Sequence, residues 1–358
     1  MNKVKPLDFA LVGCGRIAKR HSELLGHGQI ANARLSAVCD VKVDRARVIG
    51  EQFDVPYFQD MHSMMRSAPV DVVVVLTESG SHAAHVLELA PYRRHIVVEK
   101  PMALTLLDAD RMIAACDEAG VHLFVVKQNR FNVPVVKLRE ALEAGRFGKL
   151  VLGTVRVRWC RPQSYYDADG WRGTWAMDGG VLANQASHHI DMLEWMMGDV
   201  DSVYAVSATR LVDIETEDTA VVTLQFRNGA LGVIEATTAT RPVDLEGSLS
   251  ILGENGSVVI GGFAANKLTD WKFETPQPGD EEVFAKFSEN PPNVYGFGHI
   301  AYLQHVVNAV TKGAPSLVDG LEGRRSLELV IAIYESMATG QVIKIGYGKP
   351  HTRLGRKA

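Results

Sequence analysis

Two residues of the sequence are suited to moving a proton: Lys100 in VVEKPMAL and His188 in NQASHHID. A lysine amine stripped of water beside a cationic partner has a lowered pKa and accepts a proton near neutral pH. Glu99 and Lys100 follow the apolar run HIVV and precede Pro101, which holds the pair at the end of a predicted strand. His188 has a second histidine beside it, and periodicity separates the two. A helix introduced by Asp178-Gly179-Gly180 and running to Met197 places Leu182, Ala186, Ile190, Leu193 and Met197 within an arc of about 80°. That arc is the core stripe. His188 lies opposite it, flanked by Asn184 and Asp191, whereas His189 lies at its edge and belongs to packing. His188 and Asp191 could also ligate a metal, but no third ligand follows at helical spacing, so no metal site is expected.

A second constellation lies in ALVGCGRIAKRH. Gly13, Gly15 and Ala18 fit G-x-G-x-x-[G/A], directly after a predicted strand and at the opening of a predicted helix. The first glycine permits the tight turn, the second lets a pyrophosphate approach the backbone, and the small third residue lets helix and strand pack closely. The phosphates then meet free N–H groups at the helix N-terminus. Asp40 ends the next predicted strand. An acid there accepts hydrogen bonds from ribose hydroxyls and repels a 2′-phosphate, so NAD is expected over NADP, with nearby Lys42 opposing that preference. Thr77 and Ser79 can flank the cofactor after the third strand, where Ser81 or His82 begins a helix. Gln128, Asn129 and Arg130 are hydrogen-bonding residues at a further strand end.

The elements that must position these groups are readable from the apolar patterning. Residues 8–13, 34–40, 70–77, 95–100 and 122–128 are continuous apolar runs, as in a parallel sheet covered on both faces. Helical patterns lie between them, for example over 105–120, where Gly120 supplies the stop. This predicts an α/β protein with an N-terminal doubly wound parallel sheet. From about residue 148 strands alternate, and Asn228-Gly229 and Asn255-Gly256 mark hairpins, which predicts a C-terminal α+β domain with an open, largely antiparallel sheet. The expected partition is 1–130 for the dinucleotide domain, 131–345 for a substrate and oligomerisation domain sharing its cleft, and 346–358 for a solvated basic tail. The 358 residues, 46% of them hydrophobic, suffice for two cores. A net charge of −4 gives no field for nucleic acid or anionic membrane. Cys14, Cys39, Cys116 and Cys160 form no CxxC pair or disulfide framework, and no signal segment or membrane span is read, so a cytoplasmic protein is expected.

With GCGRIAKRH, EKP and HHID in place, the sequence resembles the Gfo/Idh/MocA family of sugar and polyol oxidoreductases over nearly its whole length. The resemblance implies that Lys100 and His188 flank a reacting sugar hydroxyl, that Glu99 helps hold Lys100, and that the Lys100–Pro101 bond is cis. Two positions depart from the family pattern: Asn184 where Asp is common, and Ala186 where Gly is common. Asn184 has no acid–base function at neutral pH, which leaves proton transfer to Lys100 or His188. The stretches YYDADGWRGTWAMDGGVLANQASHHID and KQNRFNVPV are similar to the branch of UDP-N-acetylglucosaminuronate 3-dehydrogenases of bacterial surface-polysaccharide (lipopolysaccharide O-antigen) synthesis. That likeness implies oxidation of a sugar C3 hydroxyl by NAD. It also implies a cofactor set of Gly13, Gly15, Arg16, Ile17, Asp40, Thr77, His82, Glu99, Lys100, Gln128 and Arg172. The implied substrate set is Lys100, Asn129, Arg130, Arg158, Tyr165, Asn184, Gln185, His188, Tyr295 and His299, its arginines suited to a diphosphate and a carboxylate. A homo-oligomer, by family habit a tetramer, is expected. Three alternatives stand beside this reading: another sugar or polyol such as inositol, an NADPH-dependent reductase, and a non-catalytic NAD sensor.

Overall fold

The computed structural model of the chain describes residues 5–288, 297–346 and 350–356. It divides into two compact units, Met1–Lys127 with His299–Arg325, and Gln128–Gly298 with Ser326–Ala358. The segment 299–325, expected in the second domain, therefore belongs to the first unit.

The first unit is a six-stranded parallel sheet of β1 (Leu7–Val12), β2 (Ala33–Cys39), β3 (Tyr57–Phe58), β4 (Val72–Val75), β5 (His95–Val98) and β6 (Leu123–Val125), in the order β3-β2-β1-β4-β5-β6. The doubly wound sheet is thus as expected. All four valines of β4 are fully buried, which is why its sequence shows no alternation. The strand order reverses between β1 and β4, and ligands of such sheets bind beyond the strand ends at that point. The two-residue β3 carries no sequence signal of its own. The helix Leu106–Ala119 begins with the Thr105 hydroxyl accepting from the Asp108 N–H and stops at Gly120, whose φ is +70°. Segment 299–325 finishes the edge of the sheet: Val125 N–H donates to Val318 O at 2.8 Å.

The described residues of the second unit form eight strands: β7 (Leu150–Arg158), β8 (Val200–Ala208), β9 (Thr219–Phe226), β10 (Leu231–Thr237), β11 (Glu246–Gly253), β12 (Gly256–Gly261), β13 (Lys267–Phe273) and β14 (Ile343–Lys344). Their order is β13-β12-β11-β7-β10-β9-β8-β14. Among the described residues only β7 and β10 pair in parallel, so the sheet is mixed and mostly antiparallel, and both Asn-Gly hairpins occur. The helix Ser187–Met197 packs on one face of it. A Cβ on Gly153 would fall 2.6 Å from Met197 and 2.7 Å from Leu193, so the glycine is what lets helix and sheet approach. The opposite face exposes Tyr204, Val206, Val221 and Leu231.

Two expectations fail in this unit. The helix does not start near Asp178 but at Ser187. The backbone donors before it are taken by tertiary partners instead: Gly180 N–H by the Tyr334 hydroxyl, Val181 N–H by Glu217 O, and Leu182 N–H by Glu217 Oε1. The basic tail is not a solvated end over 350–356. Leu354 is 1% exposed, Gly355 N–H donates to Trp175 O at 2.8 Å, and the Arg353 guanidinium lies 4.9 Å from the Trp175 ring.

Candidate active site

The first unit carries a dinucleotide cradle. Gly13 has φ +95°, and a Cβ there would fall 2.8 Å from the backbone of Leu76, so only glycine fits the turn. Gly15 caps the helix Arg16–Gly26 without a side-chain hydrogen bond, and a Cβ on it would meet nothing within 4 Å. Open space therefore lies over helix N–H groups that no side chain caps, as a pyrophosphate needs. Arg16 is exposed and Ile17 half-buried at this helix start. Asp40 Oδ2 accepts from the Cys14 N–H at 2.8 Å and Oδ1 from the Lys42 N–H at 2.7 Å. The acid thus fixes the loop, and a carboxylate retains lone pairs for ribose hydroxyls. These residues fit NAD. The Cys14 thiol in the same loop is inert, since burial pushes its pKa up to about 12.

Beyond the cradle, Thr77 Oγ1 meets His85 Nδ1 at 2.8 Å. His82, expected at the cofactor, is buried instead. Its Nδ1 lies 2.8 Å from Pro101 O and its Nε2 3.1 Å from Thr77 O, and burial lowers its pKa. It braces two loops. The Lys100–Pro101 bond is cis, as the resemblance implies, and Lys100 is half-buried. Glu99, also placed at the cofactor, commits both oxygens to the protein: Oε1 lies 3.4 Å from His21 Nε2, and Oε2 accepts from the Lys100 N–H at 3.0 Å. Burial alone would raise its pKa, but the His21 hydrogen bond and the charges of His21, His299 and Lys100 bring it down to about 2. His299, expected at the substrate nucleotide, is fully buried, its ring edge-on to His21 at 5.4 Å. Tyr295 lies outside the described residues.

The second unit carries a polar constellation around the start of the helix Ser187–Met197. His188 is half-buried, and its Nε2 lies 3.0 Å from the amide nitrogen of buried Gln128. Gln128, expected at the cofactor, therefore orients His188. His189 is fully buried edge-on to Trp159, and burial lowers its pKa to about 4, which makes it the packing histidine. Asn184 donates to buried Asp178 at 2.6 Å. Tyr165, Gln185 and Arg172, read separately in the sequence, come together. The Tyr165 hydroxyl accepts from Arg172 Nη1 at 2.6 Å and lies 3.5 Å from Gln185 Nε2. Arg172 is further held by Asp169 and stacks over Tyr165 and Trp171, so it belongs to this cluster. Asn129 is buried next to Gln128.

Two predicted substrate arginines are already paired. Arg130 is buried and makes a bidentate contact with Asp191, both bonds at 2.8 Å. Arg158 is held by Glu235 at 2.6 and 2.8 Å and by Glu246 at 3.2 Å, an acid from each neighbouring strand. Part of each guanidinium's hydrogen-bonding capacity is thus committed to carboxylates of the protein itself. Sequence reasoning missed His21, Asp178, Glu217 and Tyr334. Glu217 is buried beneath the loop that leads to Asn184, where its Oε1 accepts from the Leu182 N–H and the Tyr334 hydroxyl. Burial raises its pKa to about 7. The acid-rich run ETEDT before β9 was its only visible signal.

Residues 7–127 match the oxidoreductase family NAD-binding Rossmann fold of the Gfo/Idh/MocA type, and residues 139–345 match that family's C-terminal alpha/beta domain. The chain belongs to the Gfo/Idh/MocA family. Among Gfo/Idh/MocA relatives, the myo-inositol 2-dehydrogenase of Thermotoga maritima is 31% identical over 351 residues, 95% of this chain and 98% of that protein. The WlbA dehydrogenase from Bordetella pertussis, solved in complex with NADH and UDP-GlcNAcA, has a TM-score of 0.88 and 42% identity, covering 96% of this chain and all of that one. Its counterpart from Chromobacterium violaceum, in complex with the same pair, has a TM-score of 0.90 and 41% identity over 97% of this chain and 98% of that one. This Gfo/Idh/MocA protein is an NAD-dependent dehydrogenase acting on the CH–OH group of a sugar or polyol. Among the described residues no helix is long and apolar enough to cross a membrane.

Proposed function

We propose that the protein oxidises the C3 hydroxyl of a UDP-sugar acid, UDP-N-acetylglucosaminuronate, to the 3-keto sugar. The observation that carries this reading is the 41–42% identity to two WlbA dehydrogenases over essentially the full length of both chains. Gly13, Gly15 and Asp40 would hold NAD, which when bound supplies the hydride acceptor. The chain's own residues then have two tasks. Lys100, or His188 held by Gln128, takes the hydroxyl proton. Asn184, an amide bound to Asp178, positions rather than titrates. The Tyr165–Gln185–Arg172 cluster presents a cation and neutral polar groups suited to an anionic sugar. In bacterial surface-polysaccharide synthesis, a 3-keto product is the form in which an amino group can be added later.

A second reading, a polyol dehydrogenase acting on inositol, is favoured by the likeness to the Thermotoga maritima enzyme. NADH formation measured with UDP-N-acetylglucosaminuronate, UDP-N-acetylglucosamine and myo-inositol separates the two. Turnover with the UDP-sugar acid at least about a hundredfold above inositol in kcat/KM supports the first reading, and the reverse order refutes it. The open face of the second sheet, with Tyr204, Val206, Val221 and Leu231 exposed, supports self-association into the tetramer the sequence reading favours. Light scattering on the full chain tests this, and a monomer at micromolar concentration would refute it.

A further inference from the structure

His21 is fully buried on the helix Arg16–Gly26, the helix that opens at the dinucleotide loop. Its Nδ1 has no hydrogen-bond partner among the described residues, and its Nε2 lies 3.4 Å from Glu99 Oε1. An imidazole buried with one polar contact is costly compared with an apolar side chain of similar size, so the contact it keeps is informative. The other oxygen of Glu99 accepts from the backbone N–H of Lys100. A hydrogen-bonded line therefore runs from the phosphate-binding helix through a carboxylate to the corner from which Lys100 projects. The fully buried His299 ring stands edge-on to the His21 ring at 5.4 Å, so His21 has little freedom to turn.

We propose that His21 is a positioning residue: through Glu99 it ties the helix at the dinucleotide loop to the backbone of Lys100 and so sets where the lysine amine stands. This rests on the role given to Lys100 above. His21, Glu99 and His299 also place one ligand atom each within 4.8 Å of one another, a spacing that could hold a cation. The Nδ1 of His21 lacks the partner that metal-bound imidazoles have, and Glu99 Oε2 is taken by the peptide, which favours the hydrogen-bonded line.

The test compares His21→Leu, which removes the donor, with His21→Gln, which restores an N–H near the position of Nε2. The expected result is a kcat about tenfold or more below wild type for H21L. Sugar KM and NADH Kd should stay within about threefold, and H21Q should recover most of the lost kcat. Wild-type turnover in H21L overturns the proposal. Equal loss in H21Q and H21L overturns it too, because packing rather than the donor then matters. A fall in NADH affinity that accounts for the whole effect, or a stoichiometric metal that H21L loses, also overturns it. If wild type oxidises no sugar, the functional reading fails separately. The Lys100 amine is then followed directly, by NMR titration of 13C-methylated protein with Lys100→Arg as the assignment control. A lysine titration that shifts in H21L and returns in H21Q upholds the positioning role, and one that does not move overturns it.

Discussion

Glu217 makes the stability of the protein depend on pH in a direction opposite to that of most carboxylates. Burial raises its pKa from the ordinary 4.5 to about 7, with Asp178 adding to the effect and bonds from Leu182, its own backbone and Tyr334 opposing it. Below about pH 4.5 the group is protonated in both folded and unfolded chains. Between about 4.5 and 7 the unfolded chain ionises while the folded one keeps its proton, so stability falls as pH rises. The separation, at about 1.4 kcal/mol per pH unit, amounts to about 3 kcal/mol lost by pH 8. Glu217→Gln keeps an acceptor for the Leu182 N–H and the Tyr334 hydroxyl but cannot ionise. At about 2.1 cal/mol/K per residue over the 358 residues, 3 kcal/mol corresponds to a Tm difference of about 4 °C. Scanning calorimetry of both proteins at pH 5 and pH 8 should show the E217Q Tm gaining about that much on wild type between the two. An equal gap at both pH values would refute the assignment of an uncompensated proton to Glu217.

Lys100→Ala should abolish turnover while leaving NADH binding within about threefold, measured by fluorescence titration, because the dinucleotide loop is built elsewhere on the sheet. Asn184→Asp should place a second carboxylate against Asp178 and raise the pKa of one of the two. Its stability should then be intact at low pH and fall as pH rises, by about 1–3 kcal/mol between pH 5 and pH 8 in urea melts, whereas Asn184→Ser should show no such slope. Leu354→Ala should cost about 2–5 kcal/mol, since the side chain is buried near Gly179, and a loss under 1 kcal/mol would show that the tail does not hold in solution.

Local geometry accounts for what was legible in the sequence. Gly13 and the two Asn-Gly hairpins are dictated by backbone conformations that few residues adopt, so their positions could be read directly. The Val run of β4 announced a strand covered on both faces. His188 and His189 were separated correctly, although half of the helix used to phase them is a loop. The helix itself is buried nearly all round, Asp191 and Glu194 included, and His188 is half-buried in its first turn. What was not legible depends on partners far along the chain. Arg130 and Arg158 read as anion binders because Asp191, Glu235 and Glu246 could not be placed beside them. The helix start was missed because Glu217 and Tyr334 capture its donors, and nothing near Gly180 in the sequence announces them. The tail read as solvated because its charges outnumber the single leucine that docks it.

The division of the first unit between two chain segments bears on how the protein is made. Strand β6 stands at the edge of the sheet until Val318 and Asp319 arrive to bond it, and strands β7 to β13 of the second sheet lie between them in the chain. A nascent chain emerging from the ribosome therefore cannot finish its amino-terminal unit first. It must carry an open strand edge, and a Glu99–His21 pair lacking the covering ring of His299, while the second sheet is synthesised. The dinucleotide-binding half, cut out as 1–127, would expose that same edge, so an isolated Rossmann fragment of this protein should aggregate rather than bind NAD.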